Sequence, residues 1–361
     1  MLRPLFAFGF LLILVGLCSG RASALPVFAH RYGLSCQTCH TIIPQLTPFG
    51  ERFLANGFRL PGARGAFPIA IKTNLAYSSA PDPSGLPKAI VDEVEVLSGG
   101  TLGNNTSYWM EQYVLDGGRS GQPRDMWVEI TGKHAAFSAT SLFRAKVGQF
   151  TLPLPIDPET QRPTETHYLI FDQTVGANPF SLFQPRIGLD LSSQSLRTGL
   201  SAHLVAVESY DRGTATPHSG IDLMGSLAAD RGPITLSVYR YSGQRVLISA
   251  RDRFIRNGIS LRYRHRRVGL TVLAQQGSDT NANGLGTVTH SSGNFVQASY
   301  DVSSAMTIYA RNDAIADDIA GFTGSSVISL VMRPAPRVRF TLEAQRTART
   351  TQFATGLEFA Y

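Results

Sequence analysis

Cysteine is nearly absent from this chain, with three among 361 residues, at Cys18, Cys36 and Cys39. A disulfide-stapled scaffold is therefore excluded. Lysine occurs only at Lys72, Lys88, Lys133 and Lys146, and the remaining basic residues are arginines that form no cluster of the kind that grips nucleic acid. Long apolar runs are missing too. The longest, Leu5 to Cys18, falls short of the roughly 20 residues a helical membrane span needs. Preceded by Arg3 and followed by Ala22-Ser23-Ala24, it reads as a secretory signal over 1–24, with the mature chain expected from Leu25. A lipid anchor at Cys18 would want a residue smaller than Leu17 before it.

Removal of Cys18 with the signal leaves Cys36 and Cys39 without another thiol, and His40 follows at once. Cys36-Gln37-Thr38-Cys39-His40 is the attachment pattern of c-type haem: two thiols on one turn reach the two vinyl groups, and the next imidazole falls beneath the iron. A disulfide beside an incidental histidine is the alternative. Methionine is absent between Leu25 and Ala66, which removes the usual second axial ligand. His30 is the only other histidine there and the candidate distal ligand; His167 or an open position are the alternatives. After Pro48 a short helix is expected, with Phe49, Phe53 and Leu54 on one face and Asn56-Gly57 ending it. A segment of 25–66 is too small to build a core of its own or to bury both faces of a porphyrin, so the haem or the inside of another domain must supply that core.

From 67 to 361 no helical period is sustained. Instead, runs of about ten residues alternate apolar and polar positions between turn residues. Ile69, Ile71, Leu75 and Tyr77 alternate with Ala70, Lys72, Asn74 and Ala76; Val338, Phe340, Leu342 and Ala344 alternate with Arg339, Thr341, Glu343 and Gln345. Alternation alone fits a soluble sandwich as well. Three features favour an all-β fold of the transmembrane antiparallel β-barrel type. Sixteen strands can be counted, near 67–79, 89–102, 107–116, 125–133, 141–150, 185–193, 196–209, 219–229, 233–243, 253–266, 268–277, 291–302, 305–314, 323–333, 337–347 and 351–361. Tight connections at Asn104 to Thr106, Arg231-Gly232, Ser303-Ser304 and Pro334 to Pro336 contrast with long ones at 151–184 and 278–290. The last residues, Gly356 to Tyr361, alternate and close on an aromatic, as the terminal strands of outer-membrane proteins do. Both termini are then expected in the periplasm, with the wall against lipid and lipopolysaccharide. The haem is expected within or against the periplasmic mouth of the barrel. The 151–184 segment either folds into the lumen or lies outside as a mobile loop. The arginine excess suits haem propionates, lipopolysaccharide phosphates or a water-filled lumen, and a GC-rich genome would also produce it.

Phe28-Ala29, Tyr32-Gly33, Cys36 to His40, Pro44, Leu46, Phe49-Gly50, Phe53 and Asn56-Gly57-Phe58 stand in an order that resembles one family, the fused monohaem cytochrome and porin proteins of bacterial outer membranes. Asp92-Glu93-Val94 and Val147-Gly148-Gln149-Phe150, ahead of a proline-rich stretch, extend the likeness. The resemblance implies one covalent haem c and electron transfer across the outer membrane to a periplasmic carrier cytochrome, with extracellular Fe(II) as the donor of several members. It also implies a division into 1–24, a haem segment 25–66 and a barrel 67–361. A porin in which the haem segment serves only as plug or sensor is the competing function. No ferrous-ion site is legible: Asp92, Glu93, Glu95, Asp279, Asp317 and Asp318 read by default as solvated carboxylates.

Overall fold

The computed structural model describes residues 27–40, 46–62, 69–80, 88–132, 141–158, 162–195, 197–209, 220–247, 250–335 and 337–360. The signal sequence and its cleavage point lie outside these residues, as does Pro44.

The wall is a single closed antiparallel sheet. Its strands are β1 (Ile69–Ser78), β2 (Ala89–Thr101), β3 (Thr106–Asp116), β4 (Arg119–Ser120), β5 (Pro123–Thr131), β6 (Ser141–Phe150), β7 (Arg186–Ser195), β8 (Leu200–Glu208) and β9 (Ile221–Arg231). They continue as β10 (Ile234–Leu247), β11 (Ala250–His265), β12 (Val268–Asp279), β13 (Thr289–Ser303), β14 (Met306–Asp317), β15 (Gly321–Ala335), β16 (Val338–Thr347) and β17 (Thr351–Ala360). The two-residue β4 pairs with β3 just beyond the β3–β5 ladder, so β4 and β5 form one strand bent at Gly121. A methyl at Gly121 would lie 2.6 Å from the Tyr113 backbone carbonyl, which is why the bend takes glycine. Sixteen strands therefore cross the wall, and β1 closes it by pairing with β17 from Lys72↔Ala360 to Ser78↔Ala354. Closure leaves no sheet edge, as a wall surrounded by hydrocarbon requires.

The period of two sorts side chains as the alternation predicts. Ile69, Ile71, Leu75 and Tyr77 lie exposed on the outer surface, while Ala70 and Asn74 face in and are buried. On β16, Arg339, Thr341 and Glu343 face in and Leu342 faces out. The inward face departs from the expectation of a purely polar lumen. Trp127, Phe150, Tyr239, Tyr241, Phe254 and Phe295 are buried inside the barrel and belong to one apolar cluster. Their partners come from the segment between β6 and β7, which turns inward: Leu152, Ile156, Tyr168, Ile170, Phe171 and Phe180 complete that cluster. Helix α4 (Leu169–Asp172) lies against β13 and β14. Of the two positions open to this segment, the lumen is the one it takes.

Arg311 holds the inserted segment. It bonds Asp313 at 2.7 Å, Thr164 Oγ1 at 2.7 Å and the His167 carbonyl at 2.7 Å, and it stacks over the Tyr168 ring at 4.3 Å. Farther along, Asn178 donates to Asp252 and Asp279, and Phe180 is surrounded by the guanidinium groups of Arg186, Arg245 and Arg256.

Candidate haem-binding plug and barrel mouth

The described residues before β1 include three short helices, numbered apart from α4: α1 (Val27–Tyr32), α2 (Cys36–Cys39) and α3 (Pro48–Ala55). Local chemistry explains each boundary. Thr47 caps α3 by accepting from Gly50 N at 3.1 Å, Pro48 occupies the first helical turn, and Asn56 ends the helix. Thr47 also donates to the Thr38 carbonyl at 2.7 Å, and its backbone N bonds Cys39 O at 2.8 Å, tying α3 to α2. The two helices approach so closely that Gly50 has no room for a side chain: a methyl there would overlap the Cys39 carbonyl. Gly57 and Phe58 both adopt left-handed backbone, at φ 62°, and this reversal returns Phe58 against Phe53.

The core that this segment lacks is supplied by the barrel. Phe28 stacks on Phe58 at 4.4 Å and on Trp109 of β3 at 5.9 Å, and Phe58 stacks on Trp127 of β5 at 5.9 Å. Gly99 of β2 makes the seat possible, since a methyl there would lie 2.5 Å from the Trp109 ring and 2.9 Å from Phe28. Polar contacts surround the nest: Arg31 donates to Thr101, Arg59 to Thr131, and Tyr32 OH to the Phe58 carbonyl at 2.6 Å. Across the lumen, Glu51 meets Arg262 of β11 at 3.5 Å. Burial raises the Glu51 carboxyl above its ordinary value, with Arg262 drawing it back; burial lowers the Arg59 guanidinium, with Glu129 opposing. The segment thus spans the mouth from β2–β5 to β11, at the end where β1 begins, β17 ends and four two-residue connections lie, at 232–233, 266–267, 304–305 and 336–337. Phe53 faces this nest as expected, whereas Leu54, expected on the same face, is exposed. The Phe53 face of α3 therefore packs on Phe58 and the barrel's own aromatics.

Cys36 and Cys39 stand on the single turn of α2, with His40 next. Cys39 and His40 are half-buried, and the side chains of Cys36 and His30 lie outside the described residues. His40 lines a cavity of about 360 Å³ between the plug and three short-turn ends, with Arg267 from the β11–β12 turn, Ser303 and Ser304 from the β13–β14 turn, and Arg333 from β15. Two thiols one turn apart, an adjacent imidazole facing a cavity, and two guanidinium groups suited to anionic propionates together fit a covalent haem. His167 lies elsewhere, in the inserted segment, with Nδ1 3.1 Å from Asp172 Oδ2. Of the carboxylates singled out for a ferrous ion, Glu95 pairs with Lys72 and Asp279 with Arg256; Asp317 and Asp318 accept backbone N–H groups. Among the described residues no group of three or more His, Cys, Asp or Glu is placed to hold a metal. Arg267 in its turn, and Arg262 and Arg333 near strand ends, were not legible beforehand, because such arginines carry no signal until the plug is placed over them. Gly99-Gly100 inside a strand was the one local hint that something approaches closely there.

No family model matches the chain, and no curated protein does. Solved structures do. An anion-selective porin from Comamonas acidovorans superposes with a TM-score of 0.61 at 14% identity, over 81% of this chain and 98% of that one. A Salmonella typhi OmpF complex with daunomycin gives 0.60 at 9%, over 81% and 97%, and the outer-membrane channel DcaP of Acinetobacter baumannii gives 0.53 at 9%, over 81% and 95%. At such identities the likeness speaks to fold alone, and the fold is the closed sixteen-strand barrel of outer-membrane porins, here with a segment seated across one mouth.

Proposed function

We propose that this chain is an outer-membrane haem protein: Cys36 and Cys39 attach one haem c, His40 ligates its iron, and the protein passes single electrons between an extracellular donor and a periplasmic carrier cytochrome. Fe(II) is the donor class that the resemblance implies. The observation that carries the reading is the placement of the Cys36 to His40 turn in a plug docked across the barrel mouth, with His40 facing a cavity that also holds Arg267 and Arg333. When bound, the haem would supply one-electron chemistry. The chain's own residues do the rest. His40 would ligate the iron, with His30 the candidate second ligand, Arg267 and Arg333 would offset the propionate charge, and the aromatic nest keeps the segment from leaving the mouth. Above it, the apolar cluster from Phe53 and Phe58 to Phe171 and Phe295 fills much of the lumen, which suits an insulating sleeve better than a wide pore.

A porin in which the same segment acts as plug or sensor is the second reading, favoured by the likeness to porins and by the open cavity at the opposite end. A visible spectrum of the outer-membrane fraction, before and after addition of Fe(II), separates the two. Electron transfer predicts a c-type spectrum that becomes reduced by Fe(II). A c-type spectrum reduced only by dithionite supports the plug or sensor, and a haem-stained band that survives replacement of both cysteines by alanine sinks the attachment itself.

A further inference from the structure

The outer surface of the barrel is not uniform. At six or eight residues from the short-turn end of the strand, β1, β7 and β9 turn apolar side chains outward: Leu75 and Tyr77, Ile187 and Leu189, and Leu223. At the same heights β10, β11 and β12 turn out Arg240, Asn257 and Gln276, and all three are exposed. Pairing sets them side by side, with Arg240 opposite Asn257, Asn257 opposite Gln276 and Gln276 opposite Ser292. Asn294 on β13 and Asn312 on β14 extend the band, and Asn312 donates to Ser326 of β15 at 3.0 Å.

A strand tilted by about 40° climbs roughly 2.5 Å per residue, so these positions stand roughly 15–20 Å up an apolar band about 25 Å tall. Hydrocarbon is a poor neighbour for them. An arginine on the lipid side near mid-membrane is among the costliest residues a barrel wall can carry, and an amide there loses the hydrogen bonds that water would give it. Asn257 accepts from Arg240 at 3.3 Å, which satisfies one donor of that guanidinium. Higher on the same face, Arg253 and Arg251 are exposed twelve and fourteen residues from the near end of β11, roughly 30–35 Å up and so beyond the hydrocarbon.

The sign of the charges says what covers this face. Arg240, Arg251 and Arg253 stand on outward positions of β10 and β11, whereas Asp252, Asp279 and Asp313 of the same sheet face inward and are buried. Among the described residues no carboxylate takes an outward position on β10 to β15. A second copy of the chain would therefore set cations against cations. A phosphorylated glycolipid supplies the missing sign, and its parts follow the same vertical order as the wall. Phosphates come level with Arg251 and Arg253, amide-linked and hydroxylated acyl groups with Arg240, Asn257, Gln276 and Asn294, and the acyl tails with Val238, Ile259, Leu261, Val296 and Ile308 below, all five exposed. We propose that the outer face of β10 to β15 is a binding site for the lipid A part of lipopolysaccharide, in the half of the wall nearer the long connections. The site needs no haem, and its test is independent of the electron-transfer reading.

The test titrates the purified full-length protein in dodecyl maltoside with bis-phosphorylated lipid A and reads occupancy by native mass spectrometry. Retention of lipid A on the barrel is expected, with phosphatidylglycerol a weak competitor. Replacing both arginines, Arg251→Ala with Arg253→Ala, should weaken binding about tenfold or more, as the loss of charge-assisted contacts to phosphate implies. Dephosphorylated lipid A should bind the native protein about as poorly. Asn257→Leu with Gln276→Leu makes the band apolar, should still give the heat-modifiable folded band, and should lower affinity severalfold; it carries the test if the arginine variant does not fold. Arg231→Ala, an exposed arginine near the short-turn end of β9, should change nothing. Phosphatidylglycerol binding as tightly as lipid A, folded variants that bind like the native protein, or a native oligomer that the Asn257 and Gln276 replacements dissociate while lipid A binding persists would each overturn the proposal.

Discussion

Phe58→Ala removes the ring at the centre of the nest that seats the plug. That ring lies 4.4 Å from Phe28, 5.8 Å from Trp109 and 5.9 Å from both Trp127 and Phe53, and the residue is 4% exposed. Truncating a buried phenylalanine costs about 3–5 kcal/mol. The left-handed backbone at position 58 brings no relief, because alanine keeps the Cβ that makes φ 62° unfavourable. The rings around it can partly collapse into the space, so the lower figure applies. At about 1.4 kcal/mol per tenfold change, the docked state then loses roughly a hundredfold against the undocked one. The chain has two tryptophans, Trp109 and Trp127, and both line this seat, so the intrinsic fluorescence reports on plug docking alone. Acrylamide quenching of the folded protein should rise strongly and the emission shift to longer wavelength in Phe58→Ala, while Leu54→Ala, at an exposed position on the same helix, should leave both unchanged. Equal quenching in Phe58→Ala and the native protein would refute the seat as described.

Gly50→Ala should drive α3 away from the Cys39 carbonyl and distort the turn that presents the thiols; the haem-stain intensity per unit of folded barrel is expected to fall well below that of Phe49→Leu. Arg311→Met leaves the Asp313 carboxylate buried beside an apolar side chain and releases Thr164 and His167, a loss of about 3–5 kcal/mol at the anchor. Limited proteolysis should then cut within 162–168 faster than in the native protein; equal rates would refute the anchor. Tags inserted in 280–288 should be reachable on intact cells and tags at 304–305 should not; the reverse pattern would overturn the assignment of the short turns to the periplasm.

Much of the wall was legible because the period of two survives in nearly every strand: the expected strands at 107–116, 141–150 and 351–361 match β3, β6 and β17 within a residue or so. The hairpin of β10 and β11 runs several residues farther than its hydrophobic pattern suggested. Gln244, Arg245 and Asp252 look like loop residues in sequence, but in the barrel they are wall residues, Arg245 and Asp252 facing inward and buried. The apolar filling of the lumen was not legible for a related reason. Phe150, Phe254 and Phe295 fall at the positions of polar neighbours in the alternation, and only the inward turn of 151–185 gives them something to pack against. In the plug, the chemistry of Cys36, Cys39 and His40 was readable from spacing alone. Its seat was not, because a phenylalanine on a short helix does not say which distant tryptophan it will meet.

The meeting of the first and last strands is where a barrel of this kind is most easily assembled wrongly, since β1 and β17 share only seven paired positions, from Lys72 to Ser78, and no connecting turn sets their offset. A slip of one residue would turn Lys72 and Asn74, or Glu358, outward toward hydrocarbon and send Leu75 or Leu357 inward. A lysine on the lipid side costs about 2–4 kcal/mol at mid-membrane and less toward the interface near which Lys72 lies, and the slipped seam would also break the pairing of Lys72 with Glu95 or of Arg339 with Glu358. The charges on this wall therefore act as a closure check, penalising every odd offset and leaving two-residue slips, which keep the faces correct, as the errors that length matching alone must prevent.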